Sequence, residues 1–283
     1  MSLLNTIILE FIIGFLITFL SVPFIKKLAK KYSLLDFPDK RKQHSKPVVR
    51  IGGLSLVIPF IILLGINYYS NDYFVSIGLD NKYIFTILWG GALFFLIGFL
   101  DDLIGISPTK RLFFQSIIST LVISQGIKIN TLYLDLSYFG LESQNINFNS
   151  FFSYIVTLIW IVGLVNAFNW LDGLDGLATG SAIIIATSIF IISLINYKYY
   201  ILLIAVLLIG NCLAFLFYNK MPSTILMGDG GSYFLGFVFA ILSLLVSSDN
   251  FSIFSINYPL IMMLVPIGDM FFVILNRLRK RLS

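Results

Sequence analysis

Apolar runs long enough to cross a bilayer recur along the whole chain, near residues 3–25, 51–69, 83–100, 112–129, 151–168, 177–196, 199–218, 231–247 and 257–276. A spanning helix needs roughly 20 mostly apolar residues. The predicted fold is therefore all-α, a polytopic membrane helical bundle of about nine spans. It forms one transmembrane domain over residues 1–283, with no internal repeat and no low-complexity linker. Composition agrees: 12% of residues are charged, against about 25% in a soluble domain. The single cysteine, Cys212, sits in an apolar run and reads as core rather than as part of a disulfide framework.

The cations set an expected orientation. With the N-terminus outside, 16 of the 19 Lys and Arg residues fall on the cytoplasmic side, among them Lys26, Lys27, Lys30, Lys31, Lys46, Arg50, Lys110 and Arg111. Lys82, Lys128 and Lys198 alone lie outside. The positive-inside rule favours this topology, which also puts the C-terminus in the cytoplasm. Residues 3–25 lack a basic stretch ahead of them and read as a retained first helix rather than a cleaved signal.

Against this background the acids stand out, because ionised groups in hydrocarbon cost several kcal/mol or more. Asp101 and Asp102 follow the third span, Asp172 and Asp175 the fifth, and Asp229 precedes the eighth. All five are expected at the cytoplasmic face. Adjacent carboxylates such as Asp101 and Asp102 call for a divalent cation or cationic partners, and Lys110 and Arg111 are close in sequence. Asn166, Asn169, Asp172 and Asp175 recur every third residue, near one face of a helix or tight turn, and their oxygens suit a hard cation such as Mg²⁺. Met227-Gly-Asp229-Gly-Gly opens a helix whose free N–H groups attract anions. An aspartate there fits a metal ion held between it and a pyrophosphate. Lys46 and Arg50, ahead of Gly52 and Gly53, are candidates to line a polyanion site, and His44 is the only histidine. Asp269 is expected to face inward and brace the site, whereas Glu10, inside the first span, has no partner evident from sequence.

Four motifs carry a family resemblance: Phe99-Leu-Asp101-Asp102, Asn166-Ala-Phe-Asn169-Trp-Leu-Asp172-Gly-Leu-Asp175-Gly, Met227-Gly-Asp229-Gly-Gly-Ser232 and Pro266-Ile-Gly-Asp269. Their order resembles that of the polyprenyl-phosphate N-acetylhexosamine-1-phosphate transferases, over roughly residues 40–275. The resemblance implies a multi-pass enzyme of the bacterial inner (plasma) membrane with its active site on the cytoplasmic face. It implies Mg²⁺, or Mn²⁺ in its place, as cofactor. Its expected partners are the bilayer, undecaprenyl phosphate and a UDP-N-acetylhexosamine, with UMP released. A homodimer is compatible with this reading and nucleic acid is not expected. By resemblance Asp229 is the principal metal ligand, aided by Asn169 and Asp172. Asp101 binds or deprotonates the lipid phosphate and Asp102 orients metal or substrate, which makes Asp101, Asp102 and Asp172 the expected catalytic set. Asp175, Lys110, Asn166, Lys46 and Arg50 are the expected substrate-binding residues.

The Pro-Val-Val-Arg50-Ile-Gly-Gly loop is similar to the GlcNAc and O-antigen branch rather than to the phospho-MurNAc-pentapeptide branch. The family pattern continues beyond the Pro-Ile-x-Asp helix into a histidine-bearing loop that this sequence, ending at Ser283, does not contain. A truncated or inactive member with an accessory role is therefore an alternative. A carboxylate-based transporter is another, although transporters place such groups near the midplane, often in repeated halves.

Overall fold

The computed structural model describes residues 2–36, 47–70, 81–134, 142, 144–249 and 253–280. The helices are α1 (Leu3–Lys31), α2 (Gly53–Ser70), α3 (Asn81–Ile104), α4 (Pro108–Ser124), α5 (Ser150–Leu171), α6 (Leu177–Ile195), α7 (Tyr199–Asn219), α8 (Gly228–Ser247), α9 (Asn257–Met262) and α10 (Leu264–Lys280). Six of them, α1, α3, α5, α6, α7 and α8, are long and apolar enough to cross a membrane, and α2 is a shorter apolar helix. The chain is thus a mostly helical, multi-pass membrane protein.

Two expected spans change shape. The fourth runs from Pro108 rather than 112, because proline at the first helical position has its φ preset, and it stops at Ser124, ahead of Gly126 at φ +94°. The ninth is divided at Met263 into α9 and α10. Pro266 lacks the N–H that would bond to Met262, so the helical ladder is interrupted there.

The expectation of an all-α chain needs correction in the connections. Strands β3 (Ile129–Leu134), β4 (Gln144–Asn147), β5 (Ser248–Asp249) and β6 (Ile253–Ser255) form one sheet in the order β4-β3-β6-β5. It follows α4 and α8 and precedes α5, so it lies at the end of the bundle opposite the acids. A pair of two-residue strands, β1 (Leu35–Asp36) and β2 (Val48–Val49), lies at the acid end.

Helix α8 is the axis of the fold. From Gly230 to Val246 every residue is buried, and the helix packs against α2, α3, α5 and α6. A helix apolar on all sides is what such a position requires. Cys212 is buried in α7, as expected, and Glu10 finds a partner in Asn67 of α2, which donates to it at 2.7 Å.

Lys198, between α6 and α7, is used in a way its position in a short connecting loop did not suggest. Its Nζ donates to the carbonyls of Leu245 (3.1 Å) and Val246 (3.0 Å) and to that of Ser248. A cation on the last carbonyls of a helix opposes the negative end of its dipole. Lys198→Met should therefore lower the melting temperature of the purified protein, by an amount equivalent to about 1–3 kcal/mol. A melting curve superimposable on that of the parent would show the cap to be dispensable.

Candidate active site

Three helix ends converge at one face of the bundle: the C-termini of α3 and α5 and the N-terminus of α8. The loop ahead of α2 is stitched to the loop ahead of α8. Leu226 N–H donates to Val49 O (2.8 Å), Gly52 N–H to Leu226 O (3.0 Å) and Gly53 N–H to Met227 O (2.7 Å). This fastening sets Arg50 over the acids. At Gly228 the chain turns through φ +74°, and a Cβ there would sit 2.3 Å from Arg50 O and 2.6 Å from an Asp102 oxygen. Only glycine fits such a turn.

Asp102 is fully committed. Its Oδ1 meets Arg50 Nε at 2.8 Å and accepts from Asp229 N–H at 3.1 Å, while Oδ2 accepts from Gly230 N–H at 3.1 Å. Asp172 Oδ2 accepts from Gly228 N–H at 3.1 Å. The first N–H groups of α8 are thus taken by two carboxylates. The anions that this helix N-terminus attracts are thus carboxylates of the protein itself, which satisfy both its dipole and its unpaired donors.

Asp101 is held by Arg111 and by Ile106 N–H (2.6 Å). Asp229 differs from the other two. Its side chain is 18% exposed, against 2% for Asp102 and 6% for Asp101. Asn169 Nδ2 donates to its Oδ1 at 2.7 Å, and Oδ2 lies 3.8 Å from Arg50 and 3.6 Å from Arg111. Asp229 is therefore the acid of these three that an incoming ligand reaches first.

A cavity of about 280 Å³ opens on this group, lined by Asp36, Arg50, Asn169, Asp172, Gly173, Leu226, Gly228 and Asp229. It brings together all three expected metal ligands. A second cavity of about 190 Å³ lies on the other side of Arg50 and includes Asp36 and Asp102. Burial first, and repulsion from Asp229 next, hold the Asp172 carboxyl well above the usual carboxylate range. Burial works to lower the Arg50 pKa, yet Asp102 and Asp229 beside it raise it and hold the guanidinium charged.

The donor chemistry fits a hard divalent cation. Among the described residues no three His, Cys, Asp or Glu side chains form a ready-made cage; the cavity is lined by three carboxylates, of which Asp172 and Asp229 are the expected ligands, and by the Asn169 amide. Mg²⁺ is commonly held by one or two carboxylates, with water and substrate phosphates filling its remaining positions. The partial repulsion between Asp172 and Asp229 is what such an ion would relieve.

The expected substrate-binding residues do not all meet here. Arg50 lines the cavity. Asn166 instead donates to Gln115 Oε1 (2.8 Å) and Val162 O (2.7 Å). Asp175 accepts from Ser223 N–H at 2.9 Å and fastens the loop ahead of α8. Lys110 is exposed and lines neither cavity, because the residue that turns inward is its neighbour Arg111. Lys46 and His44 lie outside the described residues. Asp269 is half-buried in α10 and lines neither cavity.

Sequence reasoning named Arg111 as a neighbour of the acids but preferred Lys110, and it left Asp36 out. The sole signal for Asp36 is an acid just before the basic loop. Beneath the acids, Gln115 Nε2 is buried with no hydrogen-bond partner among the described residues, and the buried Tyr233 hydroxyl lies beside Arg111. They lie one turn beyond Asp229 and Arg111 on the same helices.

The comparisons with known proteins converge on this region. The model of glycosyl transferase family 4 matches residues 84–247, a segment that carries all the acids of the site except Asp36. A probable undecaprenyl-phosphate N-acetylglucosaminyl 1-phosphate transferase of Bacillus subtilis is 33% identical over 277 residues, covering 97% of this chain and 73% of the relative. A phospho-N-acetylmuramoyl-pentapeptide-transferase of Lactococcus lactis is 31% identical, over 87% of this chain and 75% of the relative. A decaprenyl-phosphate N-acetylglucosaminephosphotransferase of Mycobacterium leprae is 28% identical, over 93% and 70% respectively. Matched over more than half its length by the family model, and nearly end to end by a relative, the chain belongs to glycosyl transferase family 4.

Proposed function

We propose that this protein transfers an N-acetylhexosamine 1-phosphate from a UDP-sugar to a polyprenyl phosphate, with UDP-GlcNAc and undecaprenyl phosphate the preferred pair. An oxygen of the lipid phosphate attacks the β-phosphorus of the UDP-sugar. The P–O bond to the UMP moiety breaks, and UMP leaves as the polyprenyl-diphosphate sugar forms. The observation that carries the reading is the meeting of Asp229, Asn169, Asp172 and Arg50 on one cavity, in a chain whose relatives are named for such transfers.

Phosphoryl transfer depends mainly on positioning and charge neutralisation. Mg²⁺ held by Asp229 and Asp172 would supply the neutralisation on the pyrophosphate. Asn169 fixes the rotamer of Asp229 through the 2.7 Å hydrogen bond. Asp102 anchors Arg50 at the cavity wall, where its guanidinium is placed to meet phosphate oxygens. An arriving lipid phosphate competes with Asp101 for Arg111, which frees the Asp101 carboxylate to orient it. The nine-span topology, with the N-terminus outside and the acids at the cytoplasmic face of the inner membrane, belongs to the same proposal. It is supported by the distribution of basic residues.

The test is UMP release from a panel of UDP-N-acetylhexosamines by purified protein with polyprenyl phosphate and Mg²⁺. Absence of UMP with every donor would sink the transferase reading. Ion binding has a separate readout. A cation competes with protons for the Asp172 carboxyl, which burial and Asp229 hold above the usual carboxylate range, so binding strengthens as pH rises. The melting-temperature increase on adding Mg²⁺ should accordingly grow as pH is raised. A pH-independent increase would remove Asp172 from the ion site.

A further inference from the structure

Away from the acids, Lys26, Lys27 and Lys30 line a concavity of about 320 Å³ near the C-terminal end of α1, bounded by Pro23 and by Tyr218 of α7. Positions i, i+1 and i+4 put three ammonium groups along one flank of the helix. Lys26 Nζ stands 5.9 Å from the centroid of the Tyr218 ring, and the Tyr218 hydroxyl donates to Phe19 O at 3.3 Å. Aromatic wall and cation are thereby fixed to each other. Among the described residues none of the three lysines has a carboxylate partner. Like charges gathered around a hollow without a counter-ion call for an anion.

The surface beside the concavity narrows the choice. Toward the middle of α1 and α7 it becomes apolar and open: Leu20 is 69% exposed, Phe24 66% and Phe217 56%. An anionic group seated among the lysines would thus continue directly into hydrocarbon. No residue of this concavity lines either cavity at the acids.

We propose that the hollow between α1 and α7 binds the phosphate headgroup of an anionic glycerophospholipid whose acyl chains lie along Leu20, Phe24 and Phe217. Each lysine near an anionic lipid contributes about fivefold in affinity, so three contribute roughly a hundredfold. The lipid bridges α1, which leads into β1 and Asp36, and α7, which leads into the loop ahead of Asp229.

The experiment is a thermal melt of the full chain in neutral detergent with phosphatidylglycerol, phosphatidylcholine, undecaprenyl phosphate or inorganic phosphate added. Phosphatidylglycerol should raise the melting temperature by about 5 °C, and the other three should not match it. The variant K26Q/K27Q/K30Q should lose the shift. Retention of the shift in that variant, or an equal shift with phosphatidylcholine, would overturn the proposal. An equal or larger shift with inorganic phosphate or undecaprenyl phosphate would overturn it too, in favour of a free-anion or acceptor site. Should the triple variant not fold, the parent decides: the phosphatidylglycerol shift must shrink as salt is raised from about 50 to about 500 mM, and a salt-independent shift refutes the site.

Discussion

Asp229→Asn should reduce UMP release by about 10³-fold while leaving the melting temperature of the ion-free protein unchanged or higher. The first effect follows from position. Asp229 is the most exposed of the three acids that pair with arginine, and it shares the cavity with Asp172 and Asn169. Asparagine keeps the shape but lacks the charge that a hard cation or a phosphate-bearing arginine requires. The second effect follows from the neighbours. Asp172 and Asp229 repel one another, so removing one charge relieves repulsion when no ion is bound, a common stability cost of functional sites. Asp102→Asn should behave oppositely. Asp102 accepts from two backbone N–H groups and from Arg50. An amide in its place presents donors to donors, and the protein should melt earlier, by an amount equivalent to about 1–3 kcal/mol. Parallel UMP assays and melts of both variants separate the roles. If Asp229→Asn turns over at the rate of the parent, Asp229 is not where the reaction is supported.

The difference between these two aspartates also shows where sequence reading stops. The helices were legible because lipid leaves the backbone few alternatives, and the acids because carboxylates are so costly near hydrocarbon. Asp229, Asn169 and Asp172 could be grouped because each closes or opens a span. Which donors each acid would meet could not be read. Asp102 and Asp172 cap α8 from helices 127 and 56 residues distant in sequence, and no local pattern encodes that. Lys110 and Arg111 are adjacent cations, separated by about 100° around α4. Hydropathy at a helix start does not say which one turns inward. The sheet β4-β3-β6-β5 was missed because its strands have at most six residues, too short for a periodic signal. Residues 37–46, with Lys46 and His44, lie outside the described residues, so of the cations expected to line a polyanion site there only Arg50 is placed, on the cavity wall.

The second large effect is expected from a residue with no side chain. Gly98→Ala should lower kcat/KM for UMP release by about 10²-fold and reduce the melting temperature. A Cβ at Gly98 would lie 2.2 Å from Asp229 O, 2.4 Å from Asp229 C and 2.6 Å from Gly230 N. All three are backbone atoms inside a helix end, so no side-chain rotation relieves the overlap. Helices α3 and α8 must part by about an ångström, and close-packed interiors resist such shifts. The displacement acts directly on the site. Asp101 and Asp102 lie within the next turn of α3, and the Asp102 bonds to the Asp229 and Gly230 N–H groups, both 3.1 Å, cross the same gap. Widening it loosens the anchor of Arg50 and turns Asp229 away from Asn169. Gly180→Ala in α6 is the control, since a Cβ there meets nothing within 4 Å. It should leave turnover unchanged and stabilise the helix by up to about 1 kcal/mol. If Gly98→Ala matches Gly180→Ala in both rate and melting temperature, the contact between α3 and α8 is not what holds the acids in register.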